Sequence, residues 1–220
     1  MGISVAIDGP AGAGKSTIAR IVGKKFNLMY INTGAMYRAV TLKAMNANIS
    51  ENNVDDLVKI AESLEMHFKE ERLFVNNEDL TDMINLPIIS NNVSKYAAVP
   101  EIRKILVRLQ QDIAKKFNVI MDGRDIGTVV LRDATFKFYL TASYDVRAKR
   151  RYEELISKAI EVNYNTILND IIKRDYIDTH RAVSPLTKAI DAIEIDSTAL
   201  NIDGVVDTIV AYINSKIKNN

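Results

Sequence analysis

A glycine-rich segment near the start of the chain constrains the fold more than any other feature of the sequence. The pattern G-x-x-x-x-G-K-[ST] is matched in full by Gly9, Pro10, Ala11, Gly12, Ala13, Gly14, Lys15 and Ser16, and Thr17 completes the segment. An apolar run over 3–7 precedes it, and residues 16–26 have the apolar spacing of a helix. In such a strand–loop–helix unit, backbone N–H groups and the helix N-terminus surround a phosphate group. The segment therefore predicts a phosphate loop that binds a nucleoside triphosphate.

Two side chains of the phosphate loop carry the expected chemistry. Lys15 supplies a mobile cation for the β- and γ-phosphates, and the hydroxyl of Ser16 is a ligand for Mg²⁺. Asp8 and Asp122 each follow an apolar run, and either carboxylate could support the Mg²⁺ through water. The sequence leaves this choice open. No Asn-Lys-x-Asp tetrapeptide, which a guanine-specific GTPase would need, occurs in the chain.

Composition and charge argue against several other classes of protein. The 29 basic and 28 acidic residues give a net charge of +1, without the basic excess of a nucleic-acid binder. The absence of cysteine excludes disulfides and thiolate metal sites, and two histidines argue against a multi-histidine site. No apolar run approaches the roughly 20 residues that cross a bilayer, and the N-terminus lacks the features of a signal peptide. We therefore expect a cytoplasmic protein that binds neither nucleic acid nor membrane.

Strand-like and helix-like segments alternate along most of the chain. The predicted strands are 3–7, 28–31, 119–121, 136–141 and 193–195. The predicted helices are 16–26, 37–45, 54–64, 101–117, 145–160, 163–175 and 202–217. This alternation predicts an α/β fold of the P-loop kinase type, with a parallel five-stranded sheet flanked by helices. Ligands bind such sheets at the carboxyl ends of the strands, where Asp8, Asn32 and Asp122 fall.

Two stretches differ from this scaffold in composition or in the order of their predicted elements. Residues 51–99 combine one helix with a small β region over 66–80, in which Asn76 and Asn77 predict a turn. Residues 145–181 are rich in charged side chains on predicted helices. We expect a single domain, 1–220, with a core formed by 1–50, 100–144 and 182–220, an inserted lobe over 51–99, and a helical lid over 145–181.

Four further motifs follow the phosphate loop in order. They are NTGAMYR at 32–38, NNVSKYAAVP at 91–100, DGRDIGTVV at 122–130 and RAVSPL at 181–186. With these motifs the chain resembles the bacterial cytidylate kinases over residues 3–212. The resemblance implies a monomeric kinase that uses ATP and Mg²⁺ to phosphorylate CMP and dCMP, with the 51–99 lobe binding the nucleoside monophosphate. One position departs from the family pattern, because Asn32 stands where an aspartate is usual, and any charge-dependent role there is not carried over.

The resemblance also implies the residues that hold the acceptor phosphate and sugar. Arg38 and Arg124 would bind the phosphate, a task that suits the planar, bidentate guanidinium group. Arg174, Asp178 and Arg181 would lie at the sugar and phosphates, with the Asp178 carboxylate accepting from ribose hydroxyls. An ion pair between Asp178 and either neighbouring arginine is the structural alternative.

Recognition of the base is implied for a second set of residues. Ser94, Arg103 and Asp125 would read cytosine, because a carboxylate accepts from the N4 amino group while arginine and serine donate to the acceptor edge. Uracil carries an acceptor in place of that amino group and would be repelled by Asp125. Thr33 and Tyr37 would line the same pocket. The structural alternatives are a turn cap for Asp125 and a core position for Tyr37.

The remaining implied catalytic groups are arginines of the lid. Arg147 and Arg151, with Arg150 between them, have helical spacing that places them on one face. Together with Lys15 and Arg124, Arg147 and Arg151 would stabilise the transferring phosphoryl group.

Two other functions stay open at this level. The same fold could phosphorylate UMP or a small molecule such as shikimate. Alternatively, the chain could use ATP as a switch and act on RNA or a partner protein. The Ser94, Arg103 and Asp125 set argues against the first reading, and the balanced charge argues against the second.

Overall fold

A parallel sheet forms the centre of the molecule, which the computed structural model describes over residues 3–217. Its strands are β1 (Ser4–Asp8), β2 (Met29–Asn32), β6 (Val119–Gly123), β7 (Phe136–Thr141) and β8 (Ile193–Asp196). Their order is β2-β6-β1-β7-β8, and every neighbouring pair is parallel. A smaller antiparallel sheet contains β3 (Met66–Lys69), β4 (Arg72–Val75) and β5 (Glu78–Asp79). The predicted five-stranded α/β fold is confirmed.

Eight α-helices surround these sheets within the described residues. They are α1 (Lys15–Phe26), α2 (Thr33–Asn46), α3 (Val54–Ser63), α4 (Pro87–Ala97), α5 (Pro100–Ala114), α6 (Tyr144–Ser157), α7 (Tyr164–His180) and α8 (Ile202–Ile217). The prediction placed the start of α2 at 37 and the end of α7 at 175. In the structure α2 begins four residues earlier and α7 ends five residues later, so both helices reach the functional site. No helix within 3–217 has the length and apolar composition that spanning a membrane requires.

The apolar side chains of the central strand point alternately to two layers. Val5 and Ile7 join a cluster formed with α1 and α8, whereas Ala6 joins a cluster on the opposite face. This alternation is the period of two expected for a strand covered on both sides. Because β1 and β2 both pair in parallel with β6, the carboxyl ends of the three strands lie together at one edge, next to the phosphate loop.

The inserted segment 51–99 is joined to the core by apolar packing. Leu57 and Leu73 belong to the same buried cluster as Ala6 of β1. Asn76 and Asn77 have φ values of 49° and 65°, the left-handed pair of a tight hairpin between β4 and β5, and the predicted turn is confirmed. The sequence did not predict α4, which begins with Pro87 in its first turn and forms one wall of the functional site.

Helices α6 and α7 form a layer with a small core of its own. Ala148 and Leu155 of α6 pack against Ile167 and Ile171 of α7. This cluster is separate from the two that cover the main sheet. Helix α7 also packs against α4, and side chains from α4, α6 and α7 line a common cavity.

Candidate active site

The phosphate loop has a backbone that only glycine can adopt at key points. Gly9 has a φ of 147°, and a Cβ atom there would lie 1.9 Å from the carbonyl oxygen of Leu140. Gly14 has a φ of 90° and precedes α1 at its N-cap. Lys15 begins α1, is buried, and donates from Nζ to the Pro10 carbonyl oxygen at 2.6 Å. Burial lowers the pKa of Lys15, which favours an anion beside it.

A carboxylate at the end of β6 lies directly beside the loop hydroxyl. Ser16 Oγ donates to Asp122 Oδ2 at 2.8 Å, and Tyr30 Oη donates to the other oxygen, Oδ1, at 2.8 Å. Burial raises the pKa of Tyr30, and the neighbouring Asp122 adds to the effect. The hydroxyl and carboxylate oxygens are the hard ligands that Mg²⁺ prefers, directly or through water. Of the two aspartates considered from sequence, Asp122 therefore fits a magnesium site.

Asp8 is engaged differently. Its Oδ1 accepts from the backbone N–H of Ile126 at 2.8 Å, and its Oδ2 accepts from that of Gly127 at 2.7 Å. Both oxygens of this buried carboxylate are used within the protein. The geometry therefore favours Asp122 over Asp8 as the carboxylate nearest to Ser16.

A cavity of about 740 Å³ extends from the phosphate loop between α2, α4 and α7. Most of the predicted site residues line it, namely Ala11, Gly12, Lys15, Ser16, Thr33, Tyr37, Arg38, Ser94, Arg103, Arg124, Asp125, Arg151, Arg174, Asp178 and Arg181. Six predicted residues lie outside its lining, namely Gly9, Pro10, Ala13, Gly14, Thr17 and Arg147. Sequence reasoning missed the α4 side chains Ser90 and Asn91, because α4 itself was not predicted.

The predicted base-reading residues form one buried group. Asp125 makes an ion pair with Arg103, and Arg181 NH2 lies 3.7 Å from its Oδ1. Arg103 NH1 also donates to the Ala97 carbonyl at 3.1 Å, and the guanidinium lies 5.2 Å from the centre of the Tyr37 ring. Both partners of the pair are almost fully buried. The carboxylate is thus held in place by two guanidinium groups from different elements.

A second ion pair joins β6 to the lid. Arg124 Nε donates to Asp178 Oδ2 at 2.7 Å, and Arg181 NH1 lies 3.9 Å from Asp178 Oδ1. Burial opposes the charge on Asp178, but Arg124 and Arg174 hold the pKa of this carboxyl below its ordinary value. The ion-pair alternative weighed for Asp178 is therefore present, and its carboxylate still faces the cavity.

Four polar atoms of cavity residues have no hydrogen-bond partner. They are Tyr37 Oη, Arg38 Nε, Arg103 Nε and Arg174 Nε, out of five such buried side-chain atoms within 3–217. Burial lowers the pKa of Arg38 and brings that of Arg174 to about 10. A buried donor without an acceptor is costly, so four around one cavity indicate that a polar ligand completes them.

The lid arginine Arg147 is turned away from the cavity. Its Nε donates to the Ala142 carbonyl at 2.9 Å, and its NH1 donates to the Ala11 carbonyl at 2.8 Å and to Asp175 Oδ2 at 2.6 Å. Asp175 Oδ1 in turn accepts from the Ala11 backbone N–H at 3.2 Å. Arg147 and Asp175 therefore brace the phosphate loop. Asp175 was not singled out from sequence, and no motif marks it.

The other two lid arginines point in further directions. Arg150 donates to the hydroxyl and carbonyl oxygens of Ser197, at 3.1 and 2.8 Å. Arg151 donates to Glu154 at 2.7 Å and lines the cavity. Although the three arginines lie on one helix, their side chains point in different directions, and Arg151 alone of the three faces the cavity. The catalytic roles of Arg147 and Arg151 stay predictions.

Comparison with known proteins identifies the family. The cytidylate kinase family model matches residues 5–215. The chain belongs to the cytidylate kinase family. It is 62% identical over 210 residues to the cytidylate kinase of Clostridium perfringens strain SM101, with 96% of this chain and 97% of that protein covered. The cytidylate kinase of Clostridium acetobutylicum is 63% identical over 217 residues, with coverage of 99% and 100%.

A solved structure supports the fold independently. The gluconokinase of Sinorhizobium meliloti 1021 superposes with a TM-score of 0.53 at 12% identity, over 99% of this chain and 94% of that one. At this level of identity the likeness concerns the fold alone. The resemblance to cytidylate kinases that the motifs predicted is confirmed by the family match.

Proposed function

We propose how this site carries out the ATP-dependent phosphorylation of CMP to CDP, the activity that membership of the cytidylate kinase family gives the chain. On the donor side, the phosphate loop holds the ATP phosphates and Lys15 neutralises the β- and γ-oxygens. Ser16 and Asp122 would hold Mg²⁺, and the bound ion would neutralise charge on the phosphates. Tyr30 fixes the orientation of Asp122.

The acceptor phosphate lies, in this proposal, among arginines on three elements. Arg38 comes from α2, Arg124 follows β6 and Arg174 comes from α7. Arg38 and Arg174 make no ion pair with an acidic side chain of residues 3–217, and each has an unsatisfied Nε. A phosphate dianion would satisfy these donors and offset their burial. Arg151 lines the cavity with a partly exposed side chain and would contact the phosphoryl group during its transfer.

The base is recognised by Asp125 and its neighbours. The Asp125 carboxylate would accept a hydrogen bond from the N4 amino group of cytosine. Ser94 and the Arg103 Nε, which has no hydrogen-bond partner within residues 3–217, would donate hydrogen bonds to the acceptor atoms of the base. Uracil would bring its O4 acceptor against the carboxylate. Asp178 would accept from the ribose, and Arg181 would donate nearby. Nothing in this arrangement requires a 2′-hydroxyl, and we propose that dCMP is also a substrate.

Residues 145–181 are proposed as the segment that moves. Their separate apolar cluster allows α6 and α7 to shift as a unit, whereas the inserted segment 51–99 shares its apolar cluster with β1 and would move less. Closure of the lid would exclude water and protect ATP from hydrolysis. We also propose, from the resemblance to the cytidylate kinases, that the active form is a monomer.

The observation that carries the proposal is the set of unsatisfied cavity donors, and Arg38 tests it. ADP release would be measured from ATP and Mg²⁺ with CMP, dCMP, UMP, AMP or GMP. We expect turnover with the cytosine nucleotides only. Arg38→Met should raise the KM for CMP at least about tenfold, because a charged hydrogen bond to phosphate is lost.

Arg108→Met is the matched control, because Arg108 is exposed on α5 and outside the cavity. It should leave both kcat and KM unchanged. A preference for UMP or a purine nucleotide would contradict the assignment of the base-reading residues. An unchanged KM in Arg38→Met would remove Arg38 from the acceptor-phosphate site.

A further inference from the structure

A carboxylate at the end of β1 caps a turn that begins 118 residues later. Asp8 accepts from the backbone N–H groups of Ile126 and Gly127, at 2.8 and 2.7 Å. These two residues begin the short π-helix Ile126–Val130, whose N-cap position is Asp125. The first N–H groups of a helix have no partner inside it, so they need an acceptor from elsewhere. Asp8 provides that acceptor for both.

The usual residue for this task would be Asp125 itself. An aspartate at an N-cap commonly accepts from the N–H groups of the following turn through its own side chain. Here Asp125 makes no such hydrogen bond, and its carboxylate points instead to Arg103 and Arg181. The capping contact has in effect been transferred to Asp8, and this leaves Asp125 free to face the cavity.

The surroundings of Asp8 match this single use. The side chain is 3% exposed, and it takes part in no ion pair within residues 3–217. Burial raises the pKa of Asp8 to about 6, although the two backbone N–H groups oppose the rise. The group is thus mainly ionised at neutral pH, when it can accept on both oxygens. A Cβ at Gly127 would lie 3.4 Å from Asp8 Oδ2, an ordinary van der Waals distance, so the carboxylate lies directly against the turn that it caps.

We propose that Asp8 is a positioning residue for base recognition, because it caps the turn after Asp125 and so frees the Asp125 carboxylate to read cytosine. This inference rests on the proposed role of Asp125. If the inference holds, a residue at the end of β1, just before the phosphate loop, affects the choice between CMP and UMP as substrate. Asp8 does not touch the substrate, and it acts only through the backbone of Ile126 and Gly127.

The test replaces Asp8 by Asn, which has the same shape. The amide offers one acceptor where two are needed, and its NH₂ group faces a backbone N–H. Asp125 should then turn toward the uncapped turn. We expect the preference for CMP over UMP, as the ratio of kcat/KM values, to fall about tenfold in Asp8→Asn, mainly through the KM for CMP. Binding of a non-hydrolysable ATP analogue should change less than about threefold.

A direct readout comes from the amide protons. In ¹H–¹⁵N spectra without nucleotides, at least one of the Ile126 and Gly127 amide signals should move upfield in Asp8→Asn. Val5→Ala, in the same strand but facing the apolar cluster, controls for a loosened β1. It should lower the stability of the protein and retain the wild-type preference for CMP.

The outcomes separate the two proposals. A wild-type enzyme without preference for CMP over UMP would refute the role of Asp125, and the inference with it. If Asp8→Asn lowers turnover of CMP and UMP equally and so keeps the wild-type preference, the proposed role of Asp8 is refuted, whereas that of Asp125 is not. If Asp8→Asn does not fold, Asp8→Ser replaces it, because the shorter side chain cannot accept from both the Ile126 and Gly127 N–H groups. An unchanged preference there would equally reject the inference.

Discussion

Removal of the Asp125 charge should destabilise the protein even without substrate. Asp125 and Arg103 form an ion pair with exposed fractions of 5% and 2%, and Arg181 lies 3.7 Å from the other carboxylate oxygen. Asp125→Asn keeps the shape and leaves a buried guanidinium without its counter-charge. Breaking a buried pair in this way costs about 3–5 kcal/mol. For a chain of this length each kcal/mol lowers Tm by about 2–4 °C, so we expect a fall of roughly 6–20 °C.

The assay is thermal and urea unfolding followed by circular dichroism, with no nucleotide present. Asp112→Asn is the control, because Asp112 pairs with Lys115 on the surface at 2.9 Å and such pairs contribute at most about 1 kcal/mol. Replacing both partners, as Arg103→Met with Asp125→Leu, should restore much of the stability and still abolish the preference for CMP. If Asp125→Asn is as stable as the wild type, the argument is refuted that removing Asp125 leaves a buried, unpaired Arg103 charge at a large cost in stability.

Two more predictions concern the carboxylates at the ends of β1 and β6. Tyr30→Phe removes one hydrogen bond to Asp122, so the Mg²⁺ concentration for half-maximal ADP release should rise about threefold to tenfold, and an unchanged Mg²⁺ titration would argue against the positioning role of Tyr30. The pKa of Asp8 is raised from 3.8 to about 6 in the folded state, so its contribution to the free energy of unfolding is greatest below pH 4 and is lost as the pH rises to 6. That loss is about 3 kcal/mol, and urea midpoints of Asp8→Asn should therefore fall less than those of the wild type across this range.

Elements with strong local signals were predictable from the sequence. The five core strands are short apolar runs bounded by polar or glycine residues, and the structure places each within two residues of its predicted ends. Helix α4 was missed because its sequence, PIISNNVSKYA, is rich in asparagine, serine and β-branched residues, which favour helices weakly. Burial of Ile89, Val93 and Tyr96 against the core supplies the stabilisation that the local sequence lacks.

The candidate site divides in the same way. Lys15 could be predicted from its motif, because its neighbours in sequence are also its neighbours in space, as its hydrogen bond to the Pro10 carbonyl shows. Contacts between distant segments could not be predicted, and two of them change the interpretation. Asp8 meets a turn 118 positions away, and Arg147 meets a loop carbonyl 136 positions away. Helical spacing placed Arg147 on the same face as Arg151, but a side chain as long as arginine selects its partner by tertiary packing.

The distribution of charge explains how a nearly neutral chain can bind two phosphorylated ligands. The whole chain has 29 basic and 28 acidic residues, whereas nine basic and six acidic side chains line the cavity. Asp125 and Asp178 are already engaged with arginines, so the surplus falls on Lys15, Arg38 and Arg174, which have no carboxylate partner within 3–217. Burial lowers the pKa of all three, and each is therefore stabilised by an incoming phosphate. Because these cations come from the phosphate loop, α2 and α7, a lid closed over two bound nucleotides would be held by the ligands themselves.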